Sequence, residues 1–271
     1  MDEQSKKQLL KETFDSVAEG YDSEALRFFP NSARLLAQHL GLRGDEHVLD
    51  VATGTGHTAL AIARLLPQGR VTGVDFADGM LKQARRKAAA ANVANVEFLK
   101  KDMHSLEFSG RQFDAAVCSF GVFFADDMDA QLSRIAAAVK TGGSIAISGF
   151  QEHLFSPLSD LFFQRLSVYG VQTPAQDWKR IANREGCIVY FENAGLGHIR
   201  VEQKNMGYFL DDGDQWWDVI WNAGLRRLVS GMKPELRDKF RREHLQEVDE
   251  LRTSEGIWLN VGVLFTFGTK Q

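Results

Sequence analysis

Cysteine is scarce in this chain of 271 residues: there are two, Cys118 and Cys187, at no disulfide-framework or metal-ligand spacing. A disulfide scaffold is excluded, and a reducing, cytoplasmic setting is expected. No apolar run reaches the roughly 18 residues that a membrane span needs, and the first residues lack the basic, apolar and small-residue layout of a signal peptide. Charge of one sign is not in large excess either, since the formal net charge is -4. With no broad basic face, nucleic acid is not an expected partner. The seven histidines include no pair at metal-ligand spacing, so no metal is expected. No internal repeat or low-complexity segment is evident.

What is present begins with Val48-Leu-Asp-Val-Ala-Thr-Gly-Thr-Gly56, an apolar strand that ends in an acid and runs into a glycine-rich turn. A strand buried on both faces reads as a continuous apolar run, and Gly54 and Gly56 let the backbone turn sharply and approach a ligand. Ala59, Ile62, Ala63, Leu65 and Leu66 follow at helical spacing. The Gly-x-Gly element alone also fits a dinucleotide fingerprint. Asp50 separates the two readings: a carboxylate at the strand tip repels a pyrophosphate but favours the sulfonium and α-ammonium of S-adenosylmethionine.

The strand-helix rhythm then repeats. Arg70-Val-Thr-Gly-Val-Asp75 is a short strand closed by a second acid, 25 residues after Asp50 and 19 after Gly56. That offset suits an acid that meets ribose hydroxyls, although Asp75 is equally a residue type that caps the next helix. Val96 to Leu99 is the third strand. Asp102, just beyond it, is either an acceptor for the adenine amine, with Met103 against the ring, or a solvated loop acid. Phe113 to Gly121 is the fourth strand, with Phe120, Phe123 and Phe124 clustered at its end as a dry wall or as simple core. A helix from about Asp126 to Val139, a Gly142-Gly143 turn and a fifth strand from Ser144 to Gly149 complete the pattern.

Taken together, Phe14-Asp-Ser-Val-Ala-Glu-Gly-Tyr-Asp22, the Val48 to Gly56 stretch, the Asp75 strand end, Ser119-Phe-Gly121 and Val139-Lys-Thr-Gly-Gly143 resemble the class I S-adenosylmethionine-dependent methyltransferases. Within that class they are similar to the ubiquinone and menaquinone biosynthesis C-methyltransferases. The resemblance covers about the first 150 residues. It implies an α/β fold with a doubly wound, Rossmann-like seven-stranded sheet, mostly parallel, whose last strand is antiparallel. It also implies a cofactor set of Tyr21, Asp50, Ala52, Gly54, Gly56, Asp75, Phe76, Met80, Asp102, Met103, Ser119 and Phe120 for S-adenosyl-L-methionine. In that group an Arg-Asn pair follows the Phe-Gly of the fourth strand. Phe123 and Phe124 stand here instead, which removes polar groups from the acceptor side. The final run, Ile257 to Phe267, reads as one closing strand and differs from that of the quinone enzymes.

The chain is expected to form a single domain: N-terminal helices over residues 1–42, a cofactor-binding half over 43–150, and a substrate-side half over 151–271. A helical insertion at about 212–254 comes before the last strand, as a cap over the substrate mouth or a homodimer contact. In it Trp216, Trp217, Ile220, Trp221, Gly224 and Leu228 make an apolar stripe, either packed internally or forming a substrate wall. Arg226, Arg227, Lys233, Arg237, Lys239, Arg241 and Arg242 are interleaved with acids, as on an ion-paired solvated face. Among the histidines, His57 begins a helix beside the glycine turn, His104 is peripheral, and His153, beyond the fifth strand, is the general-base candidate or else a surface residue.

The expected activity is transfer of a methyl group to oxygen or carbon of a small, largely apolar phenol, quinol or related metabolite, with Phe123, Phe124 and Trp217 on the substrate side. The rivals are an NAD-dependent oxidoreductase and a non-catalytic binder of S-adenosylmethionine.

Overall fold

The computed structural model describes residues 3–108, 113–173 and 177–271. Along the chain the strands are β1 (His47–Val51), β2 (Arg70–Asp75), β3 (Val96–Lys100), β4 (Phe113–Ser119), β5 (Val139–Phe150), β6 (Leu196–Asn205), β7 (Tyr208–Leu210), β8 (Ile257–Leu259) and β9 (Gly262–Lys270). The helices are α1 (Glu3–Val17), α2 (Phe28–His39), α3 (His57–Ala63), α4 (Asp78–Ala90), α5 (Met128–Ala138), α6 (Leu158–Val168), α7 (Arg184–Asn193), α8 (Gly213–Trp221) and α9 (Pro234–Asp249). These elements belong to two compact units.

The sheet unit comprises Phe29–Glu152, Asp177–Lys204 and Val263–Gln271. Its seven strands lie in the order β3-β2-β1-β4-β5-β9-β6. Parallel pairing joins β1 to β2 and β4, β2 to β3, and β4 to β5, whereas β5 meets β9 antiparallel, from Ser144 opposite Thr269 to Phe150 opposite Val263. The sheet grows from β1 to β3 on one side and restarts at β4 on the other. The switch point therefore lies between β1 and β4, where open α/β sheets bind ligands at the strands' carboxyl ends. Val48, Leu49 and Val51 are fully buried, the burial that an unbroken apolar run in a central parallel strand requires. On that scaffold α4 packs against β2 and β3, and α5 against β4 and β5.

The helical unit comprises Met1–Phe28, His153–Gln176 and Asn205–Gly262. Here α8 buries Trp216, Trp217, Val219 and Ile220 and packs on α9, which also packs on α6. The Trp216 ring lies edge-on to Phe155 at 5.7 Å and to Phe162 at 6.4 Å, and its Nε1 donates to His244 Nε2 at 2.8 Å. The apolar stripe is thus filled from within its own unit. The basic run is laced by ion pairs, among them Arg241 to Asp214 at 2.8 Å and Lys239 to Glu243 at 3.7 Å. The N-terminal segment seats on the same body: Tyr208 Oη donates to Ala25 O at 2.7 Å, and Arg226 Nη1 donates to Ser16 O at 3.2 Å.

Two local expectations are revised. The closing run Ile257 to Phe267 is two strands. β8 pairs antiparallel with β7 as a separate ribbon, and β9 enters the sheet. Asn260 interrupts the run because its carbonyl accepts from Phe155 N at 2.8 Å and its side-chain amide donates to His153 O at 3.1 Å, so it has no place in a ladder. The Gly142-Gly143 turn is instead a bulge inside β5, whose pairing jumps from Phe113 opposite Val139 to Ala115 opposite Ser144. The N-terminal helices expected over residues 1–42 are α1 and α2, Glu3–Val17 and Phe28–His39. Among the described residues no helix is long and apolar enough to cross a membrane. None of their His, Cys, Asp and Glu side chains form a group of three or more able to hold a metal ion.

Candidate functional site

Two non-glycine residues with left-handed backbones mark the switch point: Ala52, at φ 53°, follows β1, and Phe120, at φ 54°, follows β4. Such a conformation costs an L-residue roughly 1 kcal/mol or more, and its retention at two neighbouring strand tips is a feature of functional sites. Gly121 permits the approach of these tips, since a Cβ there would lie 2.7 Å from Ala52 Cβ. Gly54, at φ +55°, has no atom within 4 Å of where its Cβ would be, so the turn after β1 presents bare backbone to open space.

Asp50, at the end of β1, is 1% exposed. Its Oδ2 accepts from Thr53 Oγ1 at 2.6 Å, and its Oδ1 is buried without a hydrogen-bond partner. Burial pushes the carboxyl up to about 7, and the charge of Asp75 adds to the shift. An orphaned buried acceptor of this kind invites a cationic or N–H donor.

At the end of β2, Asp75 takes up the capping position that the sequence offered and also holds the glycine turn. Its Oδ1 accepts from Ala77 N at 2.9 Å, ahead of α4, and its Oδ2 accepts from Gly54 N at 2.9 Å, which ties the glycine turn to β2. Phe76 is half-buried and Met80 buried beside it.

The loop after β3 is anchored to the same strand end, because Lys101 N donates to Asp75 O at 3.0 Å. Asp102 Oδ1 accepts from His104 N at 3.0 Å and from His104 Nδ1 at 2.9 Å, so the histidine expected to be peripheral is bound to the loop acid. Met103 is half-buried against the core of the sheet unit.

At the tips of β4 and β5, Ser119 Oγ and Ser148 Oγ are 2.7 Å apart. Ser148 is fully buried and Ser119 is half-buried. Either hydroxyl can donate to the other across this pair. Beyond this pair runs a succession of rings. Phe29 meets Phe120 edge-on at 5.3 Å, Phe120 stacks on Phe150 at 4.5 Å, Phe150 meets Phe123 at 6.0 Å, and Phe123 meets Phe124 at 4.9 Å.

Tyr21, His153 and Trp217 belong to the helical unit. Tyr21 is half-buried, its ring 6.5 Å from Phe14. His153 has an exposed side chain and a φ of 62°. Its imidazole has no hydrogen bond to any of the described residues. Trp217 is 7% exposed, stacked with Trp221 at 6.3 Å and 6.3 Å from Phe240.

Sequence reasoning passed over Phe29, Phe150 and Ser148. Phe150 and Ser148 could have been found, since they flank Gly149 at the expected end of the fifth strand and so share an edge with Ser119. Phe29 carried no such signal.

The family described as a methyltransferase domain matches residues 48–143. The chain is 31% identical over 241 residues to the ubiquinone/menaquinone biosynthesis C-methyltransferase UbiE of Psychromonas ingrahamii, a match covering 85% of this chain and 93% of that protein. It is also 31% identical over 149 residues to the aklanonic acid methyltransferase DauC of Streptomyces sp. (strain C5), covering 55% and 68% of the two chains. Several other quinone-type relatives are matched over only 60% to 66% of their own length. In fold the chain is similar to phosphoethanolamine N-methyltransferase 2 of Haemonchus contortus, solved with S-adenosyl-L-methionine, with a TM-score of 0.54 at 19% identity over 89% of this chain and 52% of that one.

Proposed function

The chain belongs to the class I S-adenosylmethionine-dependent methyltransferases, enzymes here acting on small molecules, and from that premise we propose that its acceptor is a largely apolar phenol, quinol or related aromatic metabolite, methylated on oxygen or carbon. The observation that carries this reading is the succession of Phe29, Phe120, Phe150, Phe123 and Phe124 at the carboxyl ends of β4 and β5. Stacked and edge-on rings favour flat, apolar partners, and a pocket of this composition selects by shape, with few polar groups to orient the ligand. The relatives acting on quinones and on aklanonic acid agree with such an acceptor.

The residues at the switch point fit S-adenosylmethionine. The orphaned Asp50 Oδ1 is an acceptor for its α-ammonium, the bare Gly54 turn admits its methionine end, and the Asp75 carboxylate, held at the tip of β2 beside that turn, is the acceptor for the ribose hydroxyls. Ala52, Gly56, Phe76, Met80, Met103, Ser119 and Phe120 complete the set in this reading, with Asp102 at the adenine amine. When bound, S-adenosylmethionine supplies an electrophilic methyl group. The protein's part is then largely orientation and exclusion of water: the Phe wall holds the acceptor flat, and the half-buried Ser119 hydroxyl hydrogen-bonds an oxygen. Held in line in this way, an acceptor needs modest proton chemistry, since a phenolate or enolate is already nucleophilic.

Calorimetry with S-adenosylmethionine and NAD, followed by transfer of labelled methyl groups to a panel of polycyclic phenols and quinols, tests the reading. Binding of the methyl donor alone and turnover on flat aromatic acceptors are expected. Turnover confined to small charged acceptors, with none on aromatic ones, would refute the acceptor class. Phe150→Ala is expected to lower kcat/KM for aromatic acceptors about tenfold or more while leaving S-adenosylmethionine affinity within twofold.

A further inference from the structure

His104 gives two hydrogen bonds to a single oxygen of Asp102. Its backbone N–H reaches Oδ1 at 3.0 Å, and its ring Nδ1 reaches the same atom at 2.9 Å. The first of these is an ordinary cap: Asp102 begins the short turn Met103–Ser105 and satisfies an amide that the turn leaves open. A cap needs no more. The second bond adds nothing to the turn, but it fixes the side-chain rotamer of Asp102, which as a carboxylate only accepts. It also sets the histidine tautomer, with the proton on Nδ1 and Nε2 left as an acceptor. The backbone on the other side of Asp102 is held as well, since Lys101 N donates to the carbonyl of Asp75 at 3.0 Å. The loop acid is therefore clamped from both neighbours, one clamp leading to the residue proposed for the ribose.

We propose that His104 is a positioning residue for the purine end of the cofactor: by holding Asp102 Oδ1 twice, it presents the carboxylate in one orientation to the exocyclic amine of adenine. The inference rests on the reading of Asp102 as the partner of that amine. Discrimination follows from donor and acceptor chemistry. An amine donates to a carboxylate, whereas the exocyclic carbonyl oxygen that replaces it in hypoxanthine opposes one acceptor with another. A site built around one buried polar partner rejects the wrong group strongly only while that partner is held in place.

The test compares binding of S-adenosylhomocysteine and S-inosylhomocysteine by calorimetry, together with melting temperatures, in the wild type, His104→Ala, His104→Asn and Asp102→Asn. The wild type is expected to favour the adenine ligand by about 10-fold or more, the span of a charged hydrogen bond lost. His104→Ala is expected to weaken S-adenosylhomocysteine about fivefold or more while changing S-inosylhomocysteine less than twofold, so that the preference shrinks. His104→Asn places an amide nitrogen where Nδ1 stood and is expected to restore most of the preference. A lowered melting temperature with the preference intact in His104→Ala would reduce the histidine to a cap and overturn the inference. An unchanged preference in Asp102→Asn would instead overturn the assignment of Asp102 to the amine, and the role of His104 with it.

Discussion

A buried carboxyl that titrates near neutrality ties ligand affinity to pH. In the free protein Asp50 holds a proton below about 7, because burial penalises its charge. A cation placed against Oδ1 favours the ionised form, so binding of S-adenosylmethionine is expected to release up to one proton per site below pH 7. Affinity then rises by up to about tenfold per pH unit until pH 7 and levels off above it. Calorimetry in buffers of different ionisation enthalpy counts that proton, and Asp50→Asn should abolish the release. Proton release that persists in Asp50→Asn would assign it to another group. Much of this site was legible at the residue scale. Asp50 and Asp75 stand among the last residues of two apolar runs and Gly54 in the turn after the first, where topology leaves little choice of position. Phe29 and the His104 ring were not, because a lone phenylalanine or histidine carries no periodicity and its partner is set by packing.

At the scale of elements, the turn after α1 is fitted to the end of α8. A Cβ on Gly20 would lie 2.1 Å from Asn222 Oδ1 and 2.6 Å from its Cγ, although the backbone of Gly20 would accept alanine. Gly20→Ala is expected to destabilise the protein by about 1–3 kcal/mol through overpacking. Adding Asn222→Ala removes the clashing amide and should recover most of that loss. A thermodynamic cycle from chemical denaturation measures the coupling, and strict additivity would show that the two residues do not meet. The helix expected from about Asp126 to Val139 is α5, Met128–Ala138, because 3.6-residue spacing and a cap such as Asp127 are local. The division of the closing run into β8 and β9 was not legible. Asn260 stops the ladder only because residues 153 and 155, more than a hundred positions earlier, claim its carbonyl and amide.

For the molecule as a whole, two buried groups respond to acid in opposite senses. His244, fully buried on the inner side of α9, is pushed down to about 4 from 6.5 by burial. Between those values the unfolded chain takes up a proton that the native state refuses, so His244 makes stability fall as pH drops from 6.5 toward 4. Asp50 does the reverse between about 7 and 3.8, where the native state keeps a proton that the unfolded chain has lost. Four of the five tryptophans, Trp216, Trp217, Trp221 and Trp258, lie in the helical unit and report on it by fluorescence. Acidification from pH 7 to 5 is expected to lower the tryptophan melting midpoint by several degrees. His244→Gln should flatten that slope, and Asp50→Asn should steepen the fall seen by circular dichroism. Identical pH slopes in wild type and His244→Gln would refute the assignment. The seven-stranded architecture was legible at this scale because alternating strands and helices admit few topologies.

The place of β9 between β5 and β6 governs the order in which the molecule is made. On a ribosome β5 and β6 emerge long before their shared neighbour, and the whole of 205–262, helices and ribbon together, is synthesised in between. For that interval β5 offers an open edge and β6 has no strand beside it, while the helical insertion is already free to collapse on its tryptophans. Closure of the sheet is therefore a late, long-range event, and a nascent chain halted before residue 263 would expose two unpaired edges to its neighbours.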